Sequence, residues 1–160
     1  MSKVIMMCGI CGAGKTTYAK VKEQEGYIRL SIDEEMWKVY GKKCIDYPEE
    51  QYEELSGHVE RALRERLLSL IKQGKDVVID FSFWNRENRN IYKELIQNAG
   101  AETELIYMKA EKETLQKRLH KRNQVLNANS PFVITDEILE HHYNAFQEPC
   151  GEGENVILQK

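Results

Sequence analysis

A chain of 160 residues with 41% hydrophobic residues is enough for one globular domain with its own core, and no separate substrate domain is expected. A formal net charge of -3, with 31% charged residues of both signs interspersed, excludes a general electrostatic attraction to polyanions. No stretch approaches membrane-spanning length, and Met1 to Met7 is too short for the apolar part of a secretory signal, so a soluble cytosolic protein is expected.

In chain order, Lys3 to Cys8 is a continuous apolar run of the kind buried on both faces in a parallel sheet. The stretch Gly9-Ile10-Cys11-Gly12-Ala13-Gly14-Lys15-Thr16 follows at once, with the G-x-x-x-x-G-K-[ST] spacing of a phosphate-binding loop, and a helix from Thr16 to about Gln24 comes after it. Glycines let backbone N–H groups converge on phosphate oxygens, and the helix adds its positive end. The expected nucleotide-binding residues are Gly9, Gly12, Ala13, Gly14, Lys15, Thr16 and Thr17, with Lys15 on the terminal phosphates and the Thr16 hydroxyl on Mg²⁺. Cys8 and Cys11 form a C-x-x-C with no second half to complete a zinc site. Packing accounts for them better, and Cys44 and Cys150 fall in loops.

Tyr27 to Leu30 reads as a second strand. Ser31 and Glu34 have capping-box spacing, placing Asp33 in the first turn of a short helix. There its carboxylate can take the proton of an acceptor hydroxyl attacking the γ-phosphate; the plainer use of such an acid is to complement the helix dipole. Pro48 suits the first position of a long helix reaching Lys72, with Tyr52, Leu55, Val59, Leu63, Leu67 and Leu70 on its inner face.

Val77 to Ile79 is a third strand that delivers Asp80 at its carboxyl end, where a carboxylate can hold Mg²⁺ directly or through water. Phe81, Phe83 and Trp84 beside it, with Trp37 and Tyr40, offer rings for an acceptor to stack on, though core packing suits most of them. Arg86 to Asn98 is helical with Ile91, Leu95 and Ile96 inward. Arg86 and Arg89 fit either acceptor contacts or salt bridges. Glu104 to Met108 is a fourth strand and Glu111 to Arg122 a helix, which leads into a turn-rich loop from Asn123 to Pro131. Arg118 and Arg122 are four residues apart, so both project from one side of the helix toward that loop, where closing arginines can neutralise a migrating phosphoryl group. Thr135 caps a last helix to Phe146, and Val156 to Leu158 supplies a fifth strand. His58, His120, His141 and His142 have no metal spacing beyond one adjacent pair. The alternation predicts an α/β domain, a parallel sheet with helices on both faces and ligands at the carboxyl ends of the strands.

Taken together, Gly9 to Thr16, Leu30 to Asp33, Val77 to Arg89, Leu115 to Asn123 and Phe146 to Pro149 make the chain resemble a P-loop kinase of the AAA-domain ATP-binding group. That group is kin to polynucleotide 5′-hydroxyl kinase, chloramphenicol phosphotransferase and the zeta-toxin kinases. The resemblance spans nearly the whole length. It implies a three-layer P-loop NTPase fold, with a five-stranded parallel sheet in the order 2-3-1-4-5 over a single domain 1–160 and a lid at about 118–134. It matches Asp33 to the catalytic base, Lys15 and Thr16 to the phosphate and Mg²⁺ ligands, and Arg118 and Arg122 to lid arginines, Arg122 also touching the nucleotide. ATP and Mg²⁺ are the implied cofactors, and the acceptor is a hydroxyl of a small molecule or of a nucleic-acid end. Phe81 and Phe83 stand where relatives often have a small residue and an Asn, which makes for a more apolar acceptor pocket. The alternative is an ATP-hydrolysing switch or a nucleotide-binding module without an acceptor. A GTPase is disfavoured by the missing Asn-Lys-x-Asp, and the oligomeric state is open.

Overall fold

The computed structural model describes residues 1–130 and 133–160. Five strands, β1 (Lys3–Cys8), β2 (Ile28–Leu30), β3 (Val77–Ile79), β4 (Glu102–Ala110) and β5 (Asn155–Gln159), form one sheet in the order β2-β3-β1-β4-β5 with every pairing parallel. Among the described residues, six α-helices connect them: α1 (Lys15–Gln24), α2 (Ile32–Tyr40), α3 (Tyr52–Lys72), α4 (Arg86–Asn98), α5 (Lys112–Arg122) and α6 (Asp136–Ala145).

The central strand divides the core by its period of two. Val4, Met6 and Cys8 join a cluster with Val59, Leu63 and Leu67 of α3 and Tyr92 and Ile96 of α4. Ile5 and Met7 point the other way, toward Ala19 of α1, Leu115 and Leu119 of α5 and Leu139 of α6. Both faces are therefore covered, as a continuous apolar run such as Lys3–Cys8 requires.

Several boundaries differ from the sequence reading for local reasons. Pro48 does not open the long helix. Its backbone is extended (φ -73°, ψ 150°), and a 3-10 turn at Glu49–Gln51, with Gln51 N–H donating to Pro48 O at 3.0 Å, precedes α3 at Tyr52. Ile91 is 45% exposed rather than inward, because the buried stripe of α4 runs through Arg89, Tyr92 and Ile96 at helical spacing. β4 extends past its apolar run at both ends, since ladder pairing with β1 begins at Glu102 and pairing with β5 continues to Ala110. The Ser31 and Thr135 caps form as expected, their side chains accepting from Glu34 N–H and Ile138 N–H. The expected loop from Asn123 to Pro131 and lid at about 118–134 include Pro131 and Phe132, which lie outside the described residues.

Candidate active site

The carboxyl ends of β1, β2 and β3 open onto a cleft of about 1600 Å³. Its floor is the loop between β1 and α1. Gly12 (φ 86°) and Gly14 (φ 96°) sit in the left-handed region that glycine alone adopts freely. Gly9 is required by a close approach as well, since a Cβ there would stand 2.8 Å from the Met108 carbonyl oxygen. Gly9 N–H donates to Ser82 O at 3.1 Å, tying the loop to the segment after β3. α1 starts from Gly14 with no side-chain cap and no acid in its first turn, so its leading N–H groups have no side chain bonded to them.

Lys15 folds back over the loop, its Nζ donating to Gly9 O at 2.6 Å and Ile10 O at 3.1 Å. Burial pushes the Lys15 ammonium below its usual value, opposed by the carboxylate of Asp80 and more weakly by Cys11 and Asp33. A partly buried cation beside a helix start that carries no side-chain cap is a site for a polyanion. Thr16 Oγ1 donates to Asp80 Oδ2 at 2.9 Å, so the hydroxyl and carboxylate suited to a hard divalent cation already meet. Burial and then the Asp80 carboxylate raise the Asp33 carboxyl above its usual value, while Lys15, Arg122 and Arg29 lower it. The residues present thus fit both a nucleoside triphosphate and Mg²⁺.

Arg118 and Arg122 both line the cleft. Arg118 Nη1 lies 3.4 Å from Gly12 O and 3.3 Å from Gln159 Oε1. Arg122 holds the segment that follows α5, donating to Ser130 Oγ at 3.0 Å and Asn129 O at 3.1 Å. Thr17 and Ala13 line the cleft too, Thr17 exposed and Ala13 buried. The expected set is thereby brought together on one surface.

Three features were missed, left open or misplaced by the sequence reading. Arg29 reaches from β2 to Asp80 Oδ2 with Nε at 3.0 Å and Nη2 at 2.8 Å, to Glu34 Oε2 at 2.5 Å and to Asn129 Oδ1 at 2.6 Å. A charge in the middle of a short apolar strand was its only signal. Arg89 is a core residue: it forms a two-point pair with Glu152 at 2.8 and 3.1 Å and donates to Phe83 O at 2.7 Å, while Arg86 turns to Glu152 and Cys150 O. Both arginines are thus committed to salt bridges. Phe83 does not enlarge an apolar pocket as the sequence suggested. Its ring is buried against Phe81 and Tyr92, and of the two phenylalanines only Phe81 reaches the cleft.

Sheet order, glycine loop and the Thr16–Asp80 contact define a P-loop NTPase fold. The sequence profile described as AAA domain matches residues 4–149, and the chain belongs to that family of P-loop ATP-binding proteins. No curated protein sequence matches it. Among solved structures it is similar to a gluconokinase from Sinorhizobium meliloti 1021 at 18% identity and TM-score 0.67, covering 98% of this chain and 82% of that one. It is also similar to a chain of the Pnkp1/Rnl/Hen1 RNA repair complex at 18% identity and TM-score 0.74, covering 90% of this chain and 43% of that one. A third likeness is to the PezAT toxin–antitoxin system of Streptococcus pneumoniae at 19% identity and TM-score 0.62, covering 99% of this chain and 69% of that one. These likenesses establish the fold. Among the described residues, no helix is long and apolar enough to cross a membrane.

Proposed function

We propose that this protein is a kinase that moves the γ-phosphate of ATP to a hydroxyl group, on a small molecule or on a nucleic-acid end. The observation that carries the reading is the second carboxylate. Asp33 faces the same cleft as the Thr16–Asp80 pair without being joined to it in any hydrogen bond described, and burial and the Asp80 carboxylate raise its carboxyl above its usual value. A nucleotide-binding module needs only the loop, Thr16 and Asp80. A base beside them gives the cleft a use for an incoming hydroxyl. The gluconokinase among the similar structures supports this reading.

On this proposal the loop N–H groups and Lys15 hold the terminal phosphates. Thr16 and Asp80 would hold Mg²⁺, which when bound supplies charge neutralisation between the outer phosphates. Asp33 takes the proton as the hydroxyl oxygen bonds to the γ-phosphorus and the bond from that phosphorus to ADP breaks. Arg118 and Arg122 neutralise charge on the migrating group, and the segment from about 118 to 134 acts as the lid that excludes water.

The test is transfer of labelled γ-phosphate from Mg-ATP to soluble metabolites and to single-stranded oligonucleotides, with Asp33→Asn alongside. Label in an acceptor that disappears in Asp33→Asn supports the kinase. Inorganic phosphate as the sole labelled product would place the protein among ATPases or switches instead.

A further inference from the structure

Three segments that are separate along the chain meet at Arg29. Its guanidinium donates to Asp80 Oδ2 just after β3, to Glu34 Oε2 of α2 and, at 2.6 Å, to Asn129 Oδ1 between α5 and α6. A planar fork bonded on three sides is held in one orientation. Asp80 Oδ2 is taken up by Arg29 and by Thr16 Oγ1, whereas Asp80 Oδ1 accepts no hydrogen bond among the described residues. Arg29 therefore fixes the carboxylate and leaves its second oxygen without a protein partner.

Arg122 grips Asn129 through its main chain. Asn129 O accepts from Arg122 Nη2 at 3.1 Å and Ser130 Oγ from Arg122 Nε at 3.0 Å, which sets the plane of this second guanidinium. Its Nη1 makes no hydrogen bond among the described residues. The turn held by the two arginines is short. Asn127 and Ser130 exchange N–H···O bonds of 3.0 Å, and Asn129 N–H donates to Asn127 Oδ1 at 2.9 Å. A turn this small is not stable alone in water, so its place depends on what docks it. Both arginines also bear on Asp33, whose carboxyl they lower against burial. One neutral side chain thus joins the two cations nearest the metal and base carboxylates.

We infer, resting on the kinase reading, that Arg29 and Asn129 are positioning residues for the transfer, tying the carboxylate suited to Mg²⁺ to the arginine that meets the migrating phosphoryl group. Neither touches the reacting atoms. Arg29 sets Asp80, Asn129 carries the link, and the docked turn holds Arg122 with Nη1 left over for phosphoryl oxygens. A misplacement of about 1 Å at a transfer site costs about 100-fold in rate, so even partial loosening of the turn shows in kcat.

The test centres on Asn129, a half-buried turn residue whose replacement leaves the Arg29–Asp80 pair intact. Asn129→Ala removes the acceptor for Arg29, and Asn129→Asp keeps one. With the acceptor labelled in the metabolite and oligonucleotide screen, Asn129→Ala should lower kcat about tenfold with KM for Mg-ATP within about twofold, and Asn129→Asp should recover most of the loss. In an Arg122→Met background the same alanine substitution should cost less than about twofold, because the arginine it positions is gone. A full tenfold cost in that background, an unchanged kcat, a loss carried by KM, or no recovery in Asn129→Asp overturns the inference and leaves the kinase reading standing. The ligand-free protein gives a readout without turnover. Amide exchange at Asn127 and Ser130 should quicken about tenfold in Asn129→Ala while β1 and β3 exchange as in the parent. Parent-like exchange at the turn, or exchange quickened throughout the sheet, overturns the docking role. Inorganic phosphate as the sole product would overturn the kinase reading, and the exchange measurement then decides the Arg29–Asn129–Arg122 link by itself.

Discussion

Arg29 sets two of its N–H groups, Nε at 3.0 Å and Nη2 at 2.8 Å, on a single oxygen, Asp80 Oδ2, which also accepts from Thr16 Oγ1. Both side chains are nearly fully buried, at 4% and 3% exposure. Removing the cation leaves a buried carboxylate with one neutral donor. Arg29→Met is therefore expected to cost about 3–5 kcal/mol of stability, read from urea unfolding. Adding Asp80→Asn should recover part of that loss, because the uncompensated charge goes with it. A cost under about 1 kcal/mol for Arg29→Met would mean that water reaches the pair.

Asp33 couples activity and stability in opposite senses. Burial and the Asp80 carboxylate raise its carboxyl in the folded state, so between the unfolded and folded values the native protein binds more protons. Its contribution to stability consequently falls as pH rises through that window. Asp33→Asn removes the titration, and its melting temperature at neutral pH should equal or exceed the parent's, while phosphate transfer drops about 100-fold or more. In the parent, kcat/KM should rise with pH through the raised carboxyl range, and this limb should be missing in the variant. Full transfer by Asp33→Asn would take the base role away from this residue.

The parts of this site that were legible in the sequence depend on local spacing. Gly9 to Thr16 lies within one loop and turn, Ser31 caps the turn that carries Asp33, and Asp80 directly ends an apolar run. The illegible parts depend on pairs that only the folded sheet brings together. Arg29 meets Asp80 from 51 residues away and Asn129 from 100, and Arg89 meets Glu152 from 63. Within Asp80 to Asn85 nothing in the residue types marks Phe83 for positive φ, so the sequence assigns its ring to the pocket although the kink turns it into the core. Strand order was reached through resemblance alone, since alternation gives parallel pairing without saying which strand neighbours which.

Lys15 is held as a partly buried cation whose two hydrogen-bond partners are carbonyl oxygens of its own loop. Burial lowers its ammonium, against the pull of Asp80, so the native state binds fewer protons just below the usual lysine range and stability rises with pH there. Lys15→Met should leave the ligand-free protein within about 1 kcal/mol of the parent at neutral pH, since the substitution removes a desolvated charge along with its bonds. With Mg-ATP, the parent's melting temperature should rise and the variant's should not, and transfer should fall about 100-fold or more. An undiminished shift in Lys15→Met would place the phosphates elsewhere.

Glu152 keeps the strained turn at Phe83 in place through Arg89. Burial alone would raise the Glu152 carboxyl, but the hydrogen bonds and charge of the Arg89 guanidinium outweigh it and hold the carboxyl below its usual value. The stability it contributes is fully present above the unfolded carboxyl range and is lost as pH falls through the depressed folded value. Arg89 is 2% exposed, so Glu152→Gln strands a buried cation, and unfolding at neutral pH should show a loss of about 3–5 kcal/mol. The gap between parent and variant should narrow in acid as the parent's own carboxylate takes up its proton. Because Phe83 O then rests on a guanidinium that has lost its fixed partner, the turn should loosen, and Trp84 fluorescence in a Trp37→Phe background should shift toward that of a fully solvated indole. A variant with parent stability and an unchanged Trp84 spectrum would show that the Phe81–Phe83–Tyr92 ring packing holds the turn without the ion pair.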